Sequence, residues 1–119
     1  MRAGDICHVN LDPTLGDEIR KTRPVVVLNP GLENKLSLAI VVPITGWKAA
    51  FKRNPFFLEL DPKPRLGLRK KSAVDCFQIR ALSHQRFAIT MGALNEEELD
   101  RVKSSVALIL DIYPEHCTI

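Results

Sequence analysis

Long hydrophobic runs are missing from this 119-residue sequence. The longest, Leu38 to Ile44, is interrupted by Pro43 and falls far short of the roughly 18 residues a membrane helix requires. Met1 to Asn10 lacks the apolar core of a signal peptide, so the expectation is a cytoplasmic protein with no membrane partner. Cysteine is scarce and odd in number. Cys7, Cys76 and Cys117 form no Cys-x-x-Cys pair, which argues against a disulfide framework. The adjacent pairs Cys7-His8 and His116-Cys117 lack ligand spacing, so free thiols are expected rather than a metal site. The three histidines, His8, His84 and His116, lie far apart in sequence and suggest no paired-histidine nuclease site. Walker loop, GxGxxG, HExxH and nucleophile elbow are all absent, and no cofactor is expected.

What is present fits an ordinary globular domain spanning residues 1–119, with 45% hydrophobic and 26% charged residues. The formal net charge is only +3, but it is unevenly spread. Residues 48–80 carry nine Lys or Arg against three acids, and residues 95–115 carry six acids against two bases. A basic middle favours a polyanionic partner on one face; a solvated surface is the competing reading.

Gly4 to Leu11 reads as a strand, and Asp12 to Glu18 as a loop by its turn residues. Pro24 to Leu28 is a valine-rich buried strand with proline as its first residue, ended by Asn29-Pro30-Gly31. Leu38 to Pro43 is a third strand, Gly46 to Asn54 a basic loop, and Phe56 to Leu60 a fourth strand. Ser72 to Arg80 alternates as a fifth, and Ser83 to Arg86 suggests one helical turn. The last element is a helix. Asn95 and Glu98 have capping-box spacing, and Leu99, Val102, Val106, Ile109, Leu110 and Tyr113 form one apolar stripe stopped by Pro114. Several short strands plus one amphipathic helix predict a mainly β, α+β fold: a small antiparallel barrel with a C-terminal α-helix packed on it.

The ordered set Gly4-Asp5, Leu11-Asp12-Pro13, Gly16-x-Glu18, Arg23-Pro24 entering a valine strand, and Thr45 after the third strand resembles the MazF/PemK (Kid) toxins of type II toxin–antitoxin systems. The resemblance continues through Ser72 and Gln78-Ile79-Arg80 to about Ile112; Asp17 and the tail from Pro114 to Ile119 depart from it. It implies an SH3-like barrel that dimerises. The implied activity is cutting single-stranded RNA without a metal, and the implied inhibitor is a cognate antitoxin with an acidic disordered tail. The family's catalytic arginine and threonine fall on Arg23 and Thr45.

Metal-free cleavage uses the substrate's own 2′-hydroxyl and gives a 2′,3′-cyclic phosphate and a 5′-hydroxyl. Arg23 suits the phosphorane, because a guanidinium is permanently charged and forked. Thr45 can donate to a phosphoryl oxygen, and Glu18 is the candidate acceptor or relay for the 2′-hydroxyl proton. Alone, an Arg-Pro is more simply an ion pair at a strand start, Thr45 an ordinary strand residue and Glu18 a solvated charge. The RNA-binding candidates are Asp17, Lys21, Pro24, Trp47, Lys48, Lys52, Arg53 and Gln78: cations for phosphates, Trp47 for base stacking and Gln78 for base edges. Phe51 is weighed equally between stacking and burial. Asp75 shares a site with Gln78 only if their strand is bulged or ends between them. The antitoxin tail is expected along Lys48 to Arg53, blocking Arg23. Two other classes compete. A gyrase-poison toxin of the same fold would end in Trp-Gly-Ile, unlike His116-Cys117-Thr118-Ile119. A non-catalytic SH3-like binding module would have no need of Arg23 and Thr45.

Overall fold

The computed structural model describes residues 1–29 and 37–113. The turn at Pro30-Gly31, the helix stop at Pro114, the His116-Cys117 pair and the C-terminal ending lie outside the described residues. Seven strands form one antiparallel sheet: β1 (Asp5–Asn10), β2 (Thr22–Val27), β3 (Leu38–Gly46), β4 (Phe57–Leu60), β5 (Ser72–Asp75), β6 (Arg80–Ser83) and β7 (Phe87–Ala93). Their order is β4-β5-β3-β2-β1-β7, with β6 also paired to β3. The two ends, β4 and β7, are not paired to each other, so the expected barrel is an incompletely closed one. One helix follows, α1 (Glu96–Ile109). No described helix is long and apolar enough to cross a membrane.

The central strands are buried on both faces, which is why β2 reads as a continuous valine run rather than an alternation. Side-chain alternation divides the core in two. Ile6, Val26, Val42 and Ile44 join Leu60, Leu66 and Val74 under helix residues Val102 and Val106. On the other face Cys7, Val9, Val25, Val27 and Val41 pack with Leu82, roofed by Ile19 and Phe87.

Several expectations are corrected. β2 begins at Thr22, so Pro24 lies inside the strand, paired with His8 of β1. β3 does not stop at Pro43 but runs to Gly46, because its far half leaves β2 and pairs with β5. The segment Ser72 to Arg80 is not one strand. It breaks after Asp75, whose carboxylate Oδ1 accepts the Phe77 N–H (3.2 Å) and turns Cys76–Gln78 into a short 3-10 helix. The strand β7 has no counterpart among the expected elements; it pairs along β1 with two register shifts.

The helix is capped as its spacing predicts. Asn95 Oδ1 accepts the Glu98 N–H (2.8 Å), and Glu98 Oε1 accepts the Asn95 N–H (2.9 Å). Glu98 also takes a forked pair of bonds from Arg65 (2.6 and 3.0 Å). The stripe is shorter than expected: the helix ends at Ile109, and Leu110 and Tyr113 are exposed beyond it.

Candidate active site

Two strands that part from one another bring the first pair of residues to one cleft. The β2–β3 pairing runs from Val27–Val41 to Val25–Pro43; beyond it Arg23 stays on β1, Thr45 goes with β5, and both side chains line the opening. On their outer sides Arg23 faces Val9 of β1 and Thr45 faces Ala73 of β5. Each is therefore anchored by one strand pairing and open on the side where β2 and β3 part. Arg23 is half-buried and donates from Nε to the Arg20 carbonyl (3.3 Å). The ion pairs among the described residues are Arg65–Glu98 and Lys71–Glu59, so Arg23 is not spent on one.

Arg23 and Thr45 line a cleft of about 750 Å³ together with His8, Arg69, Lys70 and Ser72. Its far wall is the turn around Gly67, which sits tightly on β7: a Cβ on Gly67 would come within 2.4 Å of the Met91 carbonyl oxygen. The Ser72 hydroxyl donates to the Lys70 carbonyl (2.9 Å) and fixes the end of that turn. Three cations, one imidazole and several hydroxyls line this space, and no carboxylate is among the described residues lining it.

Glu18 is not in that cleft. It lines a second one of about 680 Å³ with Asp17, Pro43, Gln78 and Arg80. Its carboxylate Oε1 is turned back onto the Leu15 N–H, a local bond that holds the side chain on its own loop. The two clefts adjoin along β3, where Pro43 and Thr45 sit two residues apart on one face, about 7 Å along the strand. Gln78 does not present a free amide. Its Oε1 accepts the Ile19 N–H (2.7 Å), and its Nε2 donates to the Asp17 carbonyl (3.2 Å) and to Asp75 Oδ2 (3.1 Å). The break after Asp75 is what brings Asp75 and Gln78 together, as the sequence required of them. Burial pushes the Asp75 carboxyl above the usual range, against the opposing pull of the Phe77 and Gln78 hydrogen bonds.

Of the expected basic loop, Gly46 lines the Arg23 cleft. Lys48, Lys52 and Arg53 are exposed on or beside a 3-10 turn (Ala49–Arg53) and line neither cleft. Trp47 is half-buried, with Lys71 Nζ 5.5 Å above its ring and Phe51 edge-on at 5.9 Å. Phe51 is itself half-buried and stacked on Phe57 at 3.9 Å. Lys21 is exposed in the left-handed region (φ 71°), held by its N–H on Asp12 Oδ1 (3.1 Å). Sequence reasoning missed His8, Arg69 and Lys70 as site residues. The two cations were visible only as charge, and nothing local in the sequence ties His8 to Arg23. Neither described cysteine resembles a reactive thiol: burial raises the Cys7 pKa and takes Cys76 to about 11.

Comparison with known proteins bears on the family and the fold. The chain is 34% identical over 107 residues to an Escherichia coli protein named endoribonuclease PemK, covering 89% of this chain and 73% of that one. It is 32% identical over 111 residues to endoribonuclease EndoA of Bacillus subtilis, covering 92% and 94%. Among solved structures, MazF from Deinococcus radiodurans superposes with a TM-score of 0.80 at 24% identity, over 94% of this chain and 97% of that one. A MazE–MazF structure from the same organism gives 0.72 at 23% identity, over 95% and 98%. Residues 2–110 match the PemK-like, MazF-like toxins of type II toxin–antitoxin systems, and the chain belongs to that family.

Proposed function

We propose that this chain is the toxin of a type II pair and an endoribonuclease that cuts single-stranded RNA without a metal. It acts as a homodimer in the cytoplasm, as its family resemblance implies. The observation that carries the reading is the Arg23–Thr45 cleft, lined by Arg69, Lys70 and His8 with no carboxylate among its described residues. Such a site attracts a phosphodiester and supplies positive charge from side chains, where a divalent-cation site would present carboxylate oxygens.

In the proposed step the substrate 2′-oxygen attacks phosphorus as the bond from phosphorus to the 5′-oxygen breaks. Arg23 and Thr45 donate to the non-bridging oxygens, where negative charge accumulates. The 2′-hydroxyl proton goes to His8, the imidazole among the described residues lining this cleft. The departing 5′-oxygen takes a proton from water, so charge and protons balance. Glu18, held on its loop in the second cleft, gives up the acceptor role expected from sequence. An acidic antitoxin segment inhibits by entering the cationic cleft, and Arg69 and Lys70 replace Lys48 to Arg53 as its nearest contacts to Arg23.

The test is a long RNA incubated with protein in EDTA, with cut sites and end groups mapped. Cyclic phosphate and 5′-hydroxyl ends are expected, and a single deoxynucleotide at the cut site should abolish cleavage there. Activity lost in EDTA and restored by magnesium would refute the metal-free mechanism.

A further inference from the structure

The loop between β1 and β2 carries Glu18 and leads directly into Arg23. Its neck is closed by two bonds: the Leu11 N–H donates to the Lys21 carbonyl (2.9 Å), and the Lys21 N–H donates to the Asp12 carboxylate at Oδ1 (3.1 Å). Its body is held by a residue 59 positions away. Gln78 uses both N–H donors and its carbonyl to grip Asp17, Ile19 and Asp75, so the side chain is a three-way tie and not a free reader. Asp75 fixes the tie from behind. One carboxylate oxygen takes Phe77 N–H and the other takes Gln78 Nε2, which sets the Gln78 amide in the orientation the loop needs. The residue after the tied segment is Arg20, whose carbonyl accepts from Arg23 Nε.

We infer that Gln78, oriented by Asp75, is a positioning residue: it latches the loop through Asp17 and Ile19 and so holds the Arg20 carbonyl that aims the Arg23 guanidinium. The path is continuous in hydrogen bonds and chain, from Asp75 to Gln78, to the 17–20 segment, to Arg23. Its catalytic consequence rests on the ribonuclease reading above; the latch itself does not.

Two measurements separate them. Arg20 and Lys21 are exposed, so trypsin reports loop opening directly. In Gln78→Ala, loop cleavage by trypsin should quicken at least ~10-fold, with circular dichroism unchanged. The saturated single-turnover rate on RNA should fall at least ~10-fold while the half-saturating RNA concentration moves less than ~3-fold. The second variant is Gln78→Glu. At neutral pH its carboxylate faces Asp75, the Asp17 carbonyl and Glu18, with Arg80 as the one cation among the described residues lining the same cleft, and it has no donor left. The latch should open at pH 8 and close again at acid pH, where the protonated side chain regains an O–H donor. Trypsin protection should follow that pH change in Gln78→Glu and not in wild type. Wild-type protection in Gln78→Ala would overturn the latch. An open loop with an unchanged saturated rate would overturn the positioning of Arg23. An inactive wild type with a protected loop would refute the ribonuclease reading and leave the latch standing.

Discussion

Arginine and threonine are ordinary residues until the fold sets them in one cleft, and the mutational expectations follow from that placement. Arg23→Ala should lower the saturated single-turnover rate at least ~10²-fold with the fold intact, since losing one preorganised transition-state donor costs about 3–4 kcal/mol. Arg23→Lys should rescue weakly, because an ammonium keeps charge without the fork. Lys70→Ala should weaken RNA binding more than Lys52→Ala, because Lys70 lines the cleft and Lys52 does not. Removing one phosphate-neutralising cation should flatten the log–log salt dependence by about 0.7 on a single strand. His8→Ala should reduce the saturated rate more than Glu18→Ala. The reverse ranking in single-turnover assays would return the proton acceptor to the loop. Arg23 and Thr45 were expected from an ordered constellation, and the fold places both on one cleft. His8 was not, since its membership in the cleft depends on β1 pairing with β2 through His8 and Pro24.

Two carboxylates at element ends give opposite pH signatures. Glu98 is held below the usual carboxylate range, first by the Arg65 hydrogen bonds. It contributes stability above the unfolded-state value, and that contribution is lost as pH falls through the depressed folded value. Asp75 is raised by burial, so the folded state binds its proton first and stability rises as pH falls through that window. Glu98→Gln should therefore shrink the acid-side loss of stability, and Asp75→Asn should steepen it. Urea denaturation at pH 7 and in the carboxylate range measures both. Asn95→Ala should cost about 1 kcal/mol as a lost N-cap. The helix start was legible because caps are local in sequence. The strand break after Asp75 was not, because alternation continues unbroken through Ser72 to Arg80 and only the side-chain turn onto Phe77 interrupts it.

At the scale of the whole molecule, the cleft exists because the 64–67 turn is pressed onto β7. A Cβ on Gly92 would lie 2.3 Å from the Arg65 carbonyl oxygen, and one on Gly67 2.4 Å from that of Met91, so neither position accepts a side chain without moving backbone. Gly92→Ala should destabilise by about 1–3 kcal/mol, the usual cost of overpacking. The displaced turn carries Arg69 and Lys70 on its far side, so RNA binding should weaken as well. Thermal unfolding and a binding isotherm on the same preparation check this, and a Gly92→Ala variant with unchanged melting would mean the turn is not seated as described.

The sequence by itself determined whatever is encoded within a few residues: the valine strand, the capped helix, the charge imbalance and the spaced set that marks the family. Only the tertiary structure decided which of those pieces share a cleft. Arg23 and Thr45 reach one cleft where β2 stays with β1 and β3 crosses to β5, and Arg69 and Lys70 arrive on a turn seated against β7. Gln78, read as a base-edge contact, proved committed to the loop through partners 59 and 61 residues away. The physical reason is common to all three. Local propensity and capping act over one turn or one strand, whereas a site is set by which strands pair and in what register, and a shift of one residue would turn each side chain to the opposite face.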